Sequence, residues 1–344
     1  MLYSTVPDID KSNLEKEIRR SIKVLCEIEK LRPSELLVRT GKIDMKNLVT
    51  VIIPMFNARD YVDMCLKGII IQSHRDIEIF CVDDHSTDDT YARVVELFGK
   101  DRRICVIRLA KNVGPYQIKN WVISRLSRGC LIAMQDVDDV SHPMRIAIQS
   151  KWIFDNDIGV CGVCVHQFFP SHIRPAFGTD FSLKQEGDEY EHSLAIYSSV
   201  EGNKDPLSFA EILGNIRKEF VANHGSQMFR KDLLFEFGGF NGYTKFGADT
   251  DLDWRLLRFS SICNIQKVLY FRRFHEHSLT RNPVTGIGSA SRRKYVQRRD
   301  SEHEQIRVAL ERGDFETVRA LCTRDLYCGD VRVDEVHSNF DIAL

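Results

Sequence analysis

Three carboxylates close a short apolar run in Ile132-Ala-Met-Gln-Asp136-Val-Asp138-Asp139, and Pro143 follows. A run of that kind reads as a buried strand that delivers Asp136, Asp138 and Asp139 to its C-terminal end, with proline opening the next helix. Carboxylates so close repel one another unless a cation lies between them, and a divalent ion already holding a diphosphate is the usual solution. Further upstream, Pro54-Met-Phe56-Asn57 offers an aromatic face, Asp84 an isolated carboxylate after a second apolar run, and Asn112 a polar amide at a turn. A flat base could lie on Phe56 while Asp84 accepts its imide N–H, with Asp136 and Asp138 holding a metal on the diphosphate. No Gly-x-Gly-x-x-Gly or Walker loop is present, so phosphates must be neutralised by metal rather than cradled by backbone. This chemistry points to a nucleotide-diphosphate donor rather than NAD or ATP.

The elements that must position these residues are legible from periodicity. Leu48–Pro54, Ile77–Val82, Ile104–Leu109 and Cys130–Gln135 are four apolar runs separated by helical patterns, which predicts a parallel, helix-covered sheet with its strand ends on one edge. Asn57 is placed to cap the helix after the first strand. Before the sheet, Leu14, Ile18, Ile22, Leu25 and Leu31 recur at helical spacing after a Ser12/Glu15 capping box, a packing or dimerisation element. Residues 167–222 read as a polar insertion that forms acceptor contacts or a lid. Phe246–Arg255 starts a helix with Asp249 in its first turn, where an acid ordinarily serves the helix N-terminus. Thr285–Lys294 is Gly-rich and basic, a loop that could close over a diphosphate or rest on anionic lipid. A helical hairpin around Gly313-Asp314 follows, and residues 330–344 carry no signal.

Composition sets bounds. In 344 residues the formal net charge is -1 and hydrophobic residues make up 43%, which gives a large core and no sign of a nucleic-acid partner. Ten cysteines lie in apolar segments, as expected for core use in a reducing compartment. Cys161-Gly-Val-Cys164 with His166 lacks a second ligand pair for zinc and reads as strand. No apolar stretch reaches membrane-span length and no signal peptide opens the chain, so the expectation is a cytoplasmic protein, able to sit peripherally at the inner face of a membrane.

The segments Val51–Asn57, Cys81–Asp88, Asn112-Val-Gly114 and Met134–Asp139 together resemble the ordered motif set of family 2 glycosyltransferases with the GT-A fold. The resemblance implies an α/β fold, a nucleotide-binding mostly parallel sheet with helical extensions at both ends. It implies domains at 1–47, 48–282 and 283–344, the second divided into a nucleotide-binding part (48–166) and an acceptor part (167–282). By the same resemblance Asp138 and His275 bind Mn2+ or Mg2+, and His275 fits the motif better than His277. Asp136 lies near the ribose and metal, Asp84 contacts the base, and Pro54 and Phe56 line the base site, with Asn112 beside it. Asp249 matches the family's general base, although Ala248 replaces the usual Glu before it. The implied activity is inverting transfer of a sugar from a nucleotide donor, with UDP-sugars foremost, to a glycan or lipid-linked glycan in bacterial surface polysaccharide synthesis. Non-processive transfer is expected, because the Gln-x-x-Arg-Trp motif is absent and the nearest string, Gln297-Arg-Arg-Asp300, lacks the Trp. A sugar nucleotidyltransferase would need a basic Gly-rich loop after the first strand, where Pro-Met-Phe-Asn stands; a non-catalytic nucleotide-sugar-binding module would not need the acids that are retained.

Overall fold

The structure, a computed structural model, describes residues 11–36, 44–170, 183–184, 189–195, 222–276, 278–279, 281, 283–286 and 288–342. Much of the 167–222 insertion therefore lies outside the described residues, as does His277.

Four apolar runs become β1 (Val49–Met55), β2 (Ile77–Asp83), β3 (Ile104–Leu109) and β4 (Leu131–Met134). Their β-branched and aromatic side chains fit a pleated surface buried on both faces. β1 pairs in parallel with β2 on one side and β4 on the other, with Met55 opposite Asp83 and Ile52 opposite Met134. Because β3 lies outside β2, chain order reverses at β1, and a crevice opens outside the carboxyl ends of β1, β2 and β4. Phe56 and Asp84 follow directly from their strands, and Asp136 follows β4 after Gln135. Between the strands run α3 (Val62–Ile70), α4 (Thr90–Phe98) and α5 (Pro115–Trp121), after α1 (Lys11–Lys30) and the short α2 (Pro33–Leu36).

Beyond β4 the described strands join the same sheet in mixed directions: β9 (Met228–Arg230) antiparallel, then β6 (Val160–Pro170), β10 (Ile262–Arg273) and β5 (Val140–Ser141). β8 (Tyr190–Ala195) borders β6, and β7 (Leu183–Lys184) borders β8. The strand reading of Cys161–Cys164 holds, since both thiols are buried within β6. Burial on both faces follows the period of two. Val51, Ile53, Ile79 and Cys81 meet Leu66, Phe98 and Ile153, the last from α6 (Arg145–Asn156). Ile52, Phe80, Val82 and Ile107 meet the opposite layer of α5, α7 (Lys231–Phe237), α8 (Ala248–Leu256), α9 (Ala290–Glu311) and α10 (Phe315–Cys322). α1 buries Leu14, Ile18 and Ile28 against Val140, Phe168, Val268 and Phe271, so it packs on the far end of the sheet.

Two local expectations need correction, and one stretch that carried no signal takes a definite form. Asn57 does not cap α3; with φ 48° it turns its Oδ1 to the Thr87 N–H (2.8 Å), tying the β1 turn to the β2 turn. Arg292–Lys294 is not loop but the first turns of α9, whose cap is Ser289 accepting from the Arg292 N–H. The segment after 330 forms β11 (Val333–Ser338), antiparallel on the outer edge of β3. The chain reaches that edge across the C-terminus of α7, where Gly238 at φ 83° lets the Arg324 N–H reach the Phe237 carbonyl at 3.2 Å. A Cβ on Gly238 would lie 1.5 Å from the Arg324 carbonyl oxygen. Gly238→Ala is therefore expected to lower stability by at least about 1–3 kcal/mol from backbone strain alone, read as a lower midpoint in urea denaturation; an unchanged midpoint would contradict this account of the crossing.

Candidate active site

The acidic loop is shaped by the buried side chain of Gln135. Its Nε2 donates to the carbonyls of Asp136 (2.8 Å) and Asp139 (3.0 Å), and its Oε1 accepts from Ser141 Oγ (2.6 Å). The three carboxylates then part company. Asp139 turns inward and accepts the Arg273 backbone N–H at 2.9 Å; burial, then the charges of Asp138 and Asp136, push its carboxyl well above the ordinary range. Asp138 Oδ2 meets His275 Nε2 at 2.9 Å across 137 positions of sequence, because β5 pairs with β10 and the chain leaves β10 at Arg273. The His275 ring packs on Tyr61 with centroids 4.6 Å apart, and its Nδ1 lies 3.3 Å from the Tyr61 hydroxyl. Asp136 keeps 42% of its side chain exposed and lies 3.9 Å from Lys119 Nζ.

On the other side of the crevice Phe56 is 49% exposed while Pro54 lies within β1. Asp84 is buried, and its two oxygens accept the backbone N–H groups of Val113 (2.7 Å) and Gly114 (2.8 Å). Burial pushes its pKa up to about 6 against the pull of those amides. Each oxygen retains a lone pair for a further donor. Asn112 serves as a bracket: its Nδ2 donates to the Asp84 carbonyl (3.1 Å) and its Oδ1 accepts from Lys245 (3.1 Å).

Asp249 occupies the first turn of α8 behind Gly247 and accepts from the Tyr116 hydroxyl at 3.3 Å. Burial opposes its ionisation, but His224, the Thr250 N–H, Lys119 and Arg292 together hold its carboxyl below the usual range. Asp251, two positions on, belongs to a different environment. It is fully enclosed with Arg255 (3.1 Å), Arg324 (3.0 Å) and His303 (3.3 Å), and despite burial the charge of Arg255, the His303 hydrogen bond and the charge of Arg324 hold its pKa far below that of a free carboxylate.

Lys119, His224 and Arg273 were not singled out by sequence. Lys119 interrupts an apolar helical face beside Ile118 and Trp121, and a buried cation there is a signal that could have been read. His224 sits in a 3-10 turn, and nothing local marks it. Its Nε2 is 2.7 Å from Lys119 Nζ, and burial with that neighbour lowers its pKa to about 4. Among the described residues no three His, Cys, Asp or Glu side chains converge as a metal cage. The pair Asp138–His275 nevertheless fits two adjacent ligands of a small divalent ion, which lie about 3 Å apart when each bond is about 2.1 Å. Such an ion keeps its other positions for water and phosphate oxygens.

With this geometry in hand, the sequence profile described as Glycosyl transferase family 2 matches residues 50–195. That segment belongs to glycosyl transferase family 2. Over 94 residues, 27% of this chain, the sequence is 38% identical to the Bacillus subtilis glycosyltransferase TuaG, assigned to teichuronic acid biosynthesis, and spans 37% of it. An uncharacterized glycosyltransferase of Rickettsia conorii is 35% identical over 32% of this chain and 18% of its own length. The chain thus spans less than two-fifths of either relative. Among solved structures, S. aureus TarS 1-349 in complex with UDP-GlcNAc superposes with a TM-score of 0.49 at 14% identity, over 79% of this chain and 90% of that one.

The contrast between Asp249 and Asp251 has a stability consequence. Asp251 carries a depressed folded pKa, so its contribution is fully present above the unfolded carboxylate pKa and is lost as pH falls through and below it. Asp251→Asn at pH 7 leaves Arg255 and Arg324 short of a partner and is expected to cost about 3–5 kcal/mol, measured by urea denaturation. Asp249→Asn should cost far less in the same assay; equal losses would contradict the separation of the two acids.

Proposed function

We propose that this chain is a metal-dependent, inverting glycosyltransferase that moves a sugar from a nucleotide-diphosphate donor, with UDP-sugars the first to test, to a hydroxyl of a glycan or lipid-linked glycan. The observation that carries the reading is the meeting of distant motifs on one sheet edge. Asp138 touches His275, while Asp249 on α8 meets Tyr116 of α5, the helix whose Lys119 is paired with Asp136. The donor's base would lie on Phe56, with its imide N–H given to Asp84, whose remaining lone pairs suit a donor such as uracil N3–H.

Asp249, ionised at neutral pH, accepts the proton of the acceptor hydroxyl as that oxygen attacks the anomeric carbon. The bond from carbon to diphosphate oxygen breaks on the opposite face, its electron pair leaves with the phosphate, and a single displacement inverts the centre. Mn2+ or Mg2+ held by Asp138 and His275 would neutralise charge on the departing diphosphate. Tyr116 fixes one oxygen of the base, and Tyr61 fixes the ring of His275. Membership of family 2 together with the teichuronic acid relative supports a place in bacterial surface polysaccharide assembly. Absence of the Gln-x-x-Arg-Trp motif supports transfer of one or a few sugars per encounter. The reading places the protein in the cytoplasm at the inner face of the membrane, where a lipid-linked acceptor is presented.

Two measurements test this. Asp249→Asn keeps shape and hydrogen bonding but removes the base, so transfer should fall by roughly two to four orders of magnitude, with UDP affinity by calorimetry almost unchanged; turnover near the wild-type rate would exclude Asp249 as the base. UDP binding should collapse in EDTA and return with Mn2+, and Asp138→Asn should reproduce the loss; metal-independent UDP binding would remove Asp138 and His275 from the reading.

A further inference from the structure

Asp136 is the residue at which the chain leaves the β1–β4 ladder. The Gln135 backbone N–H still donates to the Ile52 carbonyl (3.2 Å), but the Asp136 N–H donates to the hydroxyl of Tyr270 (3.2 Å), 134 positions later in sequence. Tyr270 lies on β10, three strands away from β4 in the sheet, where it pairs with Ser141 of β5 and Val165 of β6. The whole side chain is buried. A phenylalanine would fill the same space without a hydroxyl, and a buried hydroxyl is costly unless it is hydrogen-bonded. Here the group it serves is the backbone of an acid at the mouth of the crevice.

The 3-10 turn His224–Ser226 closes over the same two groups. A Cβ on Gly225 would collide with the Tyr270 hydroxyl and lie 2.8 Å from Asp136 Oδ2, so a bare Cα is what lets the turn pass this close. The turn has no room to retreat. Arg145, itself buried, donates through Nη1 to the carbonyls of Gly225 (3.1 Å) and Met134 (3.0 Å). Gln149 Nε2 donates to the Ser226 carbonyl (2.8 Å), and the Met134 N–H to the Gln227 carbonyl (2.9 Å). The end of β4 and the turn are thus fastened to each other, with Asp136 Oδ2 packed against Gly225. Asp136 nevertheless keeps 42% of its side chain exposed, so its direction is set from inside the sheet while the rest of the carboxylate is open to a ligand.

We propose that Tyr270 and Gly225 are positioning residues for donor binding: the tyrosine hydroxyl fixes the backbone of Asp136, and the missing side chain of Gly225 leaves its carboxylate room to hold that position. The inference rests on the reading of Asp136 as a donor-site residue. Past the ladder no strand partner takes the Asp136 N–H, and the tyrosine supplies the acceptor that the sheet no longer does.

The test is calorimetry of UDP binding in Mn2+. Tyr270→Phe keeps the ring and removes one hydrogen bond, so the Kd should rise at least about fivefold at unchanged stoichiometry. A wild-type Kd overturns the proposal, and so does reduced stoichiometry at a wild-type Kd, the mark of a merely unstable chain. Gly225→Ala should also raise the Kd, but by less when combined with Tyr270→Phe, which takes away the hydroxyl that the new methyl meets. A double variant whose loss equals the product of the single losses overturns the shared role. Amide exchange of the wild-type chain, followed by NMR, needs no variant: the Asp136 N–H should be protected, and exchange at the rate of an open loop overturns the proposal. If Asp136→Asn binds UDP like wild type, the donor-site reading of Asp136 fails and this inference with it; if Asp136→Asn weakens binding and Tyr270→Phe does not, only this inference falls.

Discussion

Three carboxylates crowd the loop after β4, where Asp138 and Asp136 push up the carboxyl of Asp139, and the relief of that crowding is the constraint on which the candidate site depends. Asp84, Asp136, Asp138, Asp139 and Asp249 are each met by a different partner. Two backbone amides receive Asp84, a histidine meets Asp138, and burial beside a backbone N–H raises the pKa of Asp139. Lys119 lies 3.9 Å from Asp136, while His224, the Thr250 N–H, Lys119 and Arg292 hold the carboxyl of Asp249 below the usual range against burial. Burial and like charge disfavour ionisation while opposite charge favours it. The same residue type therefore meets different electrostatic surroundings along one sheet edge.

The partners that relieve this crowding come from elements remote in sequence, so the site exists only when the sheet is complete. His275 follows β10, and β10 reaches the acidic loop because β5 pairs with it. Arg273 lies at the end of the same strand and supports the loop from below, its N–H on Asp139 and its Nε on the Asp138 carbonyl (3.3 Å). The layer that presents Asp249 is held in turn by the ion cluster of Asp251, Arg255, His303 and Arg324, which joins α8 to α9 and to the segment leading to β11. Buried ion clusters of this kind add little net stability but penalise any arrangement in which one member is missing. The C-terminal segment is in this sense part of the scaffold of Asp249, although β11 lies at the outer edge of β3.

The first half of the site was legible in sequence because strand and site coincide there. An apolar run of four to seven residues that ends in acids states both that it is buried and which end is exposed to ligand, and Phe56, Asp84 and Asp136 follow from their strands by a residue or two. Local chemistry was less reliable where a side chain had a distant alternative. Asn57 has the type of a helix cap, yet the Thr87 amide brought near by β2 competes for its oxygen. β11 left no readable trace: Val-Asp-Glu-Val-His-Ser is an exposed edge strand whose defining hydrogen bonds come from β3, more than two hundred residues earlier.

Sequence alone thus determined the parallel sheet, the edge on which chemistry is concentrated and the acids that occupy it, because burial period and strand polarity are properties of contiguous residues. Tertiary structure alone decided what surrounds each of those acids. That Asp251 is locked among Arg255, Arg324 and His303 while Asp249 meets Tyr116, and that Lys119 is enclosed rather than solvated, depend on α9, the 3-10 turn and the C-terminal segment packing against one helix layer. Ionisation responds to burial and to charges a few ångströms away in space, and those neighbours are set by the completed fold.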